Sequence, residues 1–344
     1  MIKLNGRQLA LIEILKNNIR LSPSEIYELI GLNNYSRPTI NRDLLYLLDQ
    51  DLIVRFGMGR SVVYSINQNY VLKEYEVNNY FLEDFRTNIK ANFNADIFDN
   101  LSGIFNQEER TKISELNEIN KTKLLGQTTT GFKKELERLT IEFSWKSSSI
   151  EGNTYSLLES ERLLKENIKA AGHIESEVQM IINHKNALAF IIEHPKYFKD
   201  LSIFKINEIH NLLAYNLDIY KGIRKTMVGI TGTNFKPLDN EFSIKEALEK
   251  LIISINNIDN PVEKALVAVA MISYIQPFED GNKRTARMLG NAILIANNYI
   301  PVSFVGVDSL EYKKAVILFY EQNSIIYFKK LFLEQYELSI KKYF

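Results

Sequence analysis

The stretch from residue 276 to residue 287 holds the side chains whose types and spacing could do chemistry. It reads Gln-Pro-Phe-Glu-Asp-Gly-Asn-Lys-Arg-Thr-Ala-Arg and lies between two apolar runs, 265–275 and 288–296, that predict helices. The backbone N–H groups in the first turn of a helix have no partner within that helix, and the helix dipole is positive there. Arg284 and Arg287 are three residues apart and therefore share a helix face. The pattern predicts a site for an anionic group such as a nucleotide phosphate.

An acidic residue, Asp280, stands directly before this predicted helix start. Its carboxylate is a hard oxygen ligand of the kind that binds Mg²⁺ together with phosphate. Each of these residues alone would be typical of an ordinary solvated first turn of a helix. The combination of an aromatic residue, an acid, glycine, asparagine and two arginines favours a functional site instead.

The stretch resembles the signature of the Fic family, which reads His-Pro-Phe-x-(Asp/Glu)-Gly-Asn-(Gly/Lys)-Arg-x-x-Arg. Members of this family typically transfer AMP from ATP to a Ser, Thr or Tyr hydroxyl of a target protein or of themselves. The resemblance implies a mainly α-helical domain, ATP as substrate, and Asp280 as the ligand of Mg²⁺. The nucleotide-binding residues that it implies are Gly281, Asn282, Lys283, Arg284 and Arg287, with Arg284 also counted as catalytic.

The chain departs from the signature at the first position, where the family has histidine and this sequence has Gln276. In the family this histidine is the general base that takes the proton from the target hydroxyl. Positioned proton transfer is typically worth ~10²–10⁴-fold in rate, and a glutamine amide is not a useful base. We therefore expect a site that binds ATP with Mg²⁺ but transfers AMP poorly or not at all, so whether the chain is an active nucleotidyltransferase stays open.

A second stretch, residues 147–153, reads Ser-Ser-Ser-Ile-Glu-Gly-Asn and resembles the (Ser/Thr)-x-x-x-Glu-(Gly/Asn) inhibitory motif of the same family. Its fixed positions are Ser147, Glu151 and Gly152, and we expect a helix around 140–153 that glycine ends. In the family the glutamate pairs with the second arginine of the signature, here Arg287, and occupies the guanidinium that would hold the γ-phosphate. The resemblance implies autoinhibition; the alternative is an ordinary helix end with a solvent-facing glutamate.

A third stretch, residues 222–232, has β-branched residues at alternate positions and ends in turn residues. We expect a small β-hairpin, which by resemblance is the family's flap over the active site. In that role its edge would capture a target segment by strand addition. The docking residues would be Met227, Val228, Gly229 and Ile230. A surface hairpin without that role is the alternative.

The composition sets limits on the class of protein. The chain has 344 residues, is 45% hydrophobic and 24% charged, has a formal net charge of zero, and contains no cysteine. The length suggests two or three domains. The absence of cysteine excludes disulfides and thiolate metal sites and fits a reducing cytoplasm. No apolar run reaches the ~20 residues of a membrane span, so we expect a cytoplasmic protein without membrane contact, and the sequence leaves open whether it forms a homodimer.

Three regions are expected along the chain: 1–69, a helical connector at 70–134, and a Fic-like domain at 135–344. The first region has three helical stretches followed by two strand-like runs, an order typical of a winged helix-turn-helix. The residues that would contact DNA are Arg37, Thr39, Asn41 and Arg42 on the third helix and Arg60 on the wing. A protein-interaction module on the same scaffold is the alternative, because Asp43, Asp49 and Asp51 reduce the local positive charge.

Two other functions remain open from the sequence. A Doc-like phosphotransferase, the kinase branch of the same superfamily, also shows Lys283, although Arg287 argues against it. The other is a transcriptional regulator whose Fic-like domain senses nucleotide. None of the four histidines has metal-ligand spacing, and His210 is the one considered as a base supplied from elsewhere in the domain.

Overall fold

The structure is a computed structural model, and it describes residues 4–16, 18, 20–31, 35–50, 52–66, 70–82, 86, 89–126 and 128–343, without the side chains of 16, 60, 66, 70 and 123–126. The chain divides into two compact units, Met1–Tyr70 and Val71–Phe344. No helix in the described ranges is long and apolar enough to cross a membrane.

The first unit consists of three helices followed by a two-stranded hairpin. Its elements are α1 (Gly6–Lys16), α2 (Pro23–Ile30), α3 (Arg37–Asp49), β1 (Ile53–Phe56) and β2 (Val63–Ile66). The strands are antiparallel, with Ile53 opposite Ile66. The sequence sets the bounds of α2 locally, because Ser22 and Glu25 form a capping box at its start and Gly31, at a φ of 80°, ends it. The winged-helix assignment of this unit stays a prediction.

The second unit is helical. Its α-helices are α4 (Val77–Tyr80), α5 (Gln107–Gly126), α6 (Thr129–Ile150), α7 (Leu157–Glu166), α8 (Glu175–Glu193), α9 (Ile203–Leu213), α10 (Glu241–Asn256), α11 (Pro261–Ile275), α12 (Asn282–Ala296), α13 (Ser309–Gln322) and α14 (Ile326–Tyr343). The described residues of this unit contain no strand ladder, only an isolated parallel bridge between Asn92 and Lys236. The mainly α-helical fold class is therefore correct, whereas the predicted flap hairpin is wrong.

The helices α11 and α12 lie at the centre of this unit. Nearly every side chain of both is buried, which is the pattern of helices surrounded by protein on all sides. They approach closely at Gly290, where an added Cβ would lie 2.6 Å from the Val269 side chain. The loop that joins these two helices is the stretch with the signature, so the core holds it from both ends.

The predicted connector at 70–134 falls almost entirely within the second unit, which begins at Val71, and the predicted domain bounds stay a prediction. Glu263, buried on α11, accepts a hydrogen bond from the Ile104 N–H at 2.8 Å and forms an ion pair with Arg110 at 2.9 Å. The ring of Phe93 stacks on the ring of Tyr274 with centroids 4.7 Å apart. These buried polar and aromatic contacts reach residues more than 150 positions away, which a polar composition does not indicate.

Candidate active site

One side chain holds the loop between α11 and α12 in a closed turn. The loop follows Ile275, and α12 begins at Asn282 after Gly281, whose φ of 78° is one that glycine adopts without strain. Asn282 Oδ1 accepts a hydrogen bond from the Phe278 N–H at 2.8 Å, and Asn282 Nδ2 donates to the Phe278 carbonyl at 2.7 Å. The ring of Phe278 is fully buried. The Asn282 side chain is thus used to shape the loop, and any contact of this residue with an anion would come from its backbone.

Arg284, in the first turn of α12, is a buried cation with an unused donor. Its side chain is 3% exposed, and its Nη2 donates to Oδ2 of the exposed Asp280 at 2.7 Å. Its Nη1 is buried and has no hydrogen-bond partner among the described residues. Leaving a buried donor without an acceptor is costly, so this atom is suited to a ligand that brings an oxygen. The first-turn amides of α12 and its dipole favour an anionic ligand.

Arg287 is fully buried and is held at three nitrogen atoms. Its Nε donates to Ser147 Oγ at 3.0 Å, its Nη2 donates to the Ser147 carbonyl at 2.8 Å, and its Nη1 donates to Glu151 Oε1 at 2.9 Å. Its Cζ also lies 5.2 Å from the centre of the Tyr312 ring. All three hydrogen bonds go to the end of α6, so one helix end supplies both the neutral acceptors and the counter-charge of this cation.

Glu151 is shared between two cations. Besides Arg287 it lies 3.4 Å from Lys283 Nζ, and its side chain is 17% exposed. Burial alone would raise the pKa of Glu151, but the charges of Arg287 and Lys283 outweigh burial and lower it. The carboxylate is therefore ionised at neutral pH. It stands directly after α6, and the next residue, Gly152, has a φ of 99°.

His184, on α8, forms a hydrogen bond with the Ser147 hydroxyl that binds Arg287. Its Nδ1 lies 2.8 Å from the Met180 carbonyl, which can only accept, so Nδ1 carries the proton and Nε2 is an acceptor. The Ser147 hydroxyl, 2.9 Å from Nε2, therefore donates to it and keeps its lone pairs for Arg287. Burial lowers the pKa of His184 to about 3, with smaller contributions from the neighbouring arginines. A neutral imidazole thus orients the hydroxyl that binds Arg287.

Both the nitrogen and the oxygen of the Gln276 side-chain amide form hydrogen bonds. Its Nε2 donates to the Ser273 carbonyl at 2.6 Å and lies 3.2 Å from the Tyr320 hydroxyl, and its Oε1 accepts from Asn282 Nδ2 at 3.0 Å. The residue has a positive φ of 52°, is only 7% exposed, and ends α11. Gln276 therefore links α11, α12 and α13, and it provides no basic atom in the cavity.

The segment 222–232 is an irregular loop and not the predicted hairpin. Arg224, fully buried, holds it against the signature loop: its N–H donates to the Pro277 carbonyl at 3.0 Å and its Nε to the Gln276 carbonyl at 2.6 Å. The same guanidinium donates to the carbonyls of Thr226 and Leu238. Alternation of β-branched residues predicted a strand, but here side-chain donors take the place of a strand ladder. The predicted docking residues Met227–Ile230 follow this anchor.

These elements enclose a cavity of about 470 Å³. Its floor is the signature loop, with Gln276, Asp280, Gly281, Asn282 and Lys283. Its walls are the end of α6 with Glu151, the residues 228–231, and one face of α13. The α13 side chains are Lys313, Val316, Ile317 and Tyr320. Small-molecule sites typically have volumes of about 300–1,000 Å³. The cavity is therefore of the size of a nucleotide site, and its lining includes the cations Lys283 and Lys313 as well as the carboxylates of Glu151, Glu279 and Asp280.

The residues predicted to contact DNA are Arg37, Thr39, Asn41, Arg42 and Arg60. The first four lie on α3 of the first unit; of these Arg37, Asn41 and Arg42 are exposed and Thr39 is half-buried. The side chain of Arg60 lies outside the part of the chain that the structure describes. The exposed side chains therefore share one helix, as a groove-reading helix would require.

Neighbouring side chains modify this exposed face. Tyr27 donates its hydroxyl hydrogen to Asn41 Oδ1 at 2.6 Å, and its ring lies 5.5 Å from Arg37 Cζ. Asp43 is buried and forms an ion pair with Arg7. Of the acidic residues that the sequence placed against the basic ones, Asp43 is thus directed into the unit, whereas Asp49 is exposed on the same helix.

Several residues of the site were not identified from the sequence: Ser147 as a ligand of Arg287, and His184, Arg224, Tyr312, Lys313, Val316, Ile317 and Tyr320. The spacing of the α13 residues, which repeats every three to four positions, is a signal that could have indicated one helix face, but core helices show the same spacing. His210, considered as a base, does not line the cavity; its Nε2 lies 3.1 Å from the Asp280 carbonyl.

Comparisons with known proteins agree with this geometry. Residues 200–294 match the Fic/DOC family, a range that contains α9, the segment 222–232 and the signature loop. The chain is 27% identical over 182 residues to "Protein adenylyltransferase fic-1" of Caenorhabditis elegans and 28% identical over 177 residues to "Protein adenylyltransferase Fic" of Culex quinquefasciatus. These matches cover 51% and 50% of this chain but only 36% and 35% of the two relatives. The chain thus aligns with about a third of the length of these relatives.

Solved structures are similar over a larger part of the chain. "Fic-1 (aa134 - 508) from C. elegans" has a TM-score of 0.59 at 24% identity and covers 68% of this chain and 71% of that one. A Fic domain containing signaling protein from Bacteroides thetaiotaomicron has a TM-score of 0.55 at 20% identity, covering 67% and 94%. At these identities the likeness shows the fold. Residues 200–294 thus match the Fic/DOC family, and the helical fold around them is similar to the fold of solved Fic proteins.

Proposed function

We propose that the chain binds ATP in this cavity and belongs to the protein adenylyltransferases, which transfer AMP to a hydroxyl of a target protein or of themselves. The signature loop carries the proposal: Gly281, Asn282 and Lys283 line the cavity at the start of α12, and next to Gly281 is Arg284, whose buried Nη1 has no partner among the described residues. An anion that brings acceptor oxygens satisfies this donor and the free amides of the first turn of α12 together. The names of the curated relatives support ATP as the nucleotide and AMP as the transferred group.

In this proposal Glu151 keeps the site closed. Its carboxylate occupies Nη1 of Arg287 and contacts Lys283, two cations that a γ-phosphate would otherwise engage. A negative charge at that place also repels the phosphates. Nucleotide and Glu151 therefore compete for the same cations, and removal of the carboxylate should raise the affinity for ATP.

The donor set fits Mg²⁺ arriving with the phosphates. Mg²⁺ is usually held by one or two carboxylates, with phosphate oxygens and waters in its remaining positions. Asp280 offers one exposed carboxylate at the cavity, and its hydrogen bond to Arg284 runs through Oδ2. Asp280 is the residue that would hold the ion. When bound, Mg²⁺ would offset part of the phosphate charge.

Target docking is assigned to the residues 227–230. Among the described residues their backbone N–H and C=O groups make no backbone hydrogen bonds, and Met227 is exposed. An extended segment of a target protein could pair with these groups by strand addition. Such pairing would bring a target hydroxyl near Gln276, at the floor of the same cavity.

Gln276 explains why we expect little transfer from the chain as it stands. The target hydroxyl must lose its proton, and an amide that is hydrogen-bonded on both sides cannot take it. We therefore expect Glu151→Gly to bind ATP with little self-labelling from α-labelled ATP. Glu151→Gly combined with Gln276→His should label itself at least about 100-fold faster, the lower end of the typical contribution of a positioned base.

Mass spectrometry of the labelled protein distinguishes the two transferase chemistries. An added AMP supports the adenylyltransferase, whereas an added phosphate alone would assign the chain to Doc-like phosphotransfer. Strong labelling by Glu151→Gly without the histidine would show that Gln276 is not the limiting residue. A Glu151→Gly variant that takes up no ATP in calorimetry would refute the proposed function.

A second candidate function, DNA-binding regulation, is favoured by the exposed Arg37, Asn41 and Arg42 on α3. Asp43 is paired with Arg7 and does not neutralise Arg37 or Arg42, which can approach phosphate or base edges. The test is a gel shift with DNA from the region upstream of the coding sequence, with and without ATP. Arg37→Ala combined with Arg42→Ala is the matched variant, and an unretarded probe at low salt with the unaltered protein would remove this candidate.

A further inference from the structure

His210, on α9, contacts the signature loop at Phe278 and Asp280. Its imidazole lies parallel to the Phe278 ring, with centroids 3.8 Å apart and planes 5° apart. Its Nε2 lies 3.1 Å from the carbonyl oxygen of Asp280. An added Cβ on Gly281 would stand 3.7 Å from His210 Cδ2. One side chain thus contacts the loop at the Phe278 ring and at the Asp280 carbonyl, next to Gly281.

The hydrogen bond determines the tautomer of this histidine. A carbonyl oxygen can only accept, so His210 Nε2 carries the hydrogen and donates to Asp280. The other ring nitrogen, Nδ1, is buried and has no hydrogen-bond partner among the described residues. Burial lowers the pKa of His210 to about 4, which keeps the ring neutral at physiological pH. The neutral ring therefore has one N–H donor, and this donor is directed at the Asp280 carbonyl.

The orientation of that carbonyl sets the direction of the next amide. A peptide bond is planar and trans, so its C=O and N–H point to opposite sides. The Asp280 carbonyl points to His210, which lies under the loop outside the cavity lining, whereas Gly281 lines the cavity. The hydrogen bond from His210 to the Asp280 carbonyl therefore turns the Gly281 N–H away from His210. In the described structure that N–H makes no backbone hydrogen bond.

We infer that His210 is a positioning residue that aims the Gly281 amide at the phosphates of the nucleotide, with no part in proton transfer. This inference rests on the proposed function, because it assumes that a phosphate occupies the start of α12. Arg284 approaches the same glycine, since an added Cβ at Gly281 would lie 3.4 Å from Arg284 Nη2. The amide and the guanidinium would then meet the anion side by side, and His210 secures the first of these two donors.

Two substitutions distinguish the effect of the His210 hydrogen-bond donor from the effect of its aromatic ring. His210→Phe keeps an aromatic ring on Phe278 but cannot donate, whereas His210→Gln lacks the ring but carries an amide N–H that can reach the Asp280 carbonyl. Both are made in the Glu151→Gly protein, and affinities for ATP and for adenosine are measured by calorimetry at neutral pH. Because adenosine has no phosphate, a loss of affinity for adenosine indicates general damage to the cavity.

We expect His210→Phe to lower the affinity for ATP about tenfold or more, the usual value of a hydrogen bond to a charged group, with adenosine changed less than about twofold. His210→Gln should keep most of the ATP affinity. Equal losses for ATP and adenosine, or an unchanged ATP affinity in His210→Phe, would overturn the inference.

A nucleotide-free crystal structure of His210→Phe gives a readout that does not depend on ATP. We expect the Asp280–Gly281 peptide to rotate once its carbonyl loses the imidazole donor. An unrotated peptide would contradict the role of His210 even if ATP binds as proposed. If the parent Glu151→Gly protein fails to bind ATP, the proposed function is refuted, and the peptide orientation alone then decides whether His210 positions the loop.

Discussion

At the scale of single residues, the way Arg287 is held determines how the site can open. Ser147 engages Nε and Nη2 with its hydroxyl and carbonyl, and Glu151 engages only Nη1. Loss of the carboxylate would therefore free one edge of the guanidinium while the other edge remains bound to α6. Under the proposed function, nucleotide entry would then need only the rotation of the Glu151 side chain.

The buried His184 makes the stability of this arrangement depend on pH. Its folded pKa of about 3 lies below the ordinary value of 6.5, so the unfolded chain binds the proton more readily between these pH values. The contribution of the neutral ring to stability is fully present above about pH 6.5 and is lost as the pH falls toward 3. Because one pKa unit corresponds to about 1.4 kcal/mol, lowering the pH from 6.5 to 5 should remove about 2 kcal/mol.

Urea unfolding of the unaltered protein and of His184→Gln at pH 7.5 and pH 5.0 checks this expectation. The stability difference between the two proteins should shrink at the lower pH, because only the unaltered protein carries this buried ring. His194→Gln, at an exposed histidine, controls for the general effect of losing a histidine. A difference that is the same at both pH values would show that His184 does not stay neutral in the folded state.

At the scale of elements, the loop 222–232 depends on one buried arginine and has no strand pairing. Arg224 donates to the carbonyls of Gln276, Thr226 and Leu238, so a single planar guanidinium joins the loop to the signature stretch. Lysine has one ammonium group on a flexible stem and cannot reach three carbonyls in these directions. The arrangement therefore requires arginine. Replacement by lysine would keep the positive charge but lose these hydrogen bonds.

We expect Arg224→Lys to lower the free energy of unfolding by about 2–4 kcal/mol, because buried carbonyls lose charged donors. Cleavage by thermolysin within residues 226–232 should also become faster. Lys225→Gln is the matched control, since that neighbouring side chain is mostly exposed. Equal cleavage rates in Arg224→Lys and the unaltered protein would mean that other contacts hold the loop.

At the scale of the whole molecule, a partly buried ion pair links the segment 71–134 to the helices of the second unit. The carboxylate of Glu263 lies in the core of α11, where burial raises its pKa, and Arg110 supplies its counter-charge from α5. A buried charge without its partner is strongly destabilising. This ion pair therefore joins the predicted connector to the helix that precedes the signature loop.

Arg110→Ala should destabilise the protein by about 2–4 kcal/mol, somewhat less than a fully buried pair because Arg110 is over a third exposed. Lys112→Ala removes an exposed partner of Glu337 on the same helix and should cost about 1 kcal/mol or less. Thermal unfolding of the three proteins gives the comparison. If both variants melt alike, the segment is not held by this pair.

Much of the fold was accessible from local patterns. The start of α13 is set locally, because the Asp308 side chain accepts hydrogen bonds from the N–H groups of Leu310 and Glu311. The end of α7 at Glu166 is likewise local, because Asn167 adopts a left-handed φ of 57°. The hairpin prediction was wrong because alternation describes which side chains face a core and does not show which backbone groups pair.

The sequence by itself determined the family resemblance and the helix start with its two arginines, because twelve consecutive residues contain both the anion-binding amides and the cations. Only the tertiary structure decided how these groups are used. Arg287, His184, Ser147 and Glu151 come from three helices, and His210 reaches the loop from a fourth. Hydrogen bonds between residues so far apart in the chain depend on how the helices pack around α11 and α12, and no local spacing records that packing.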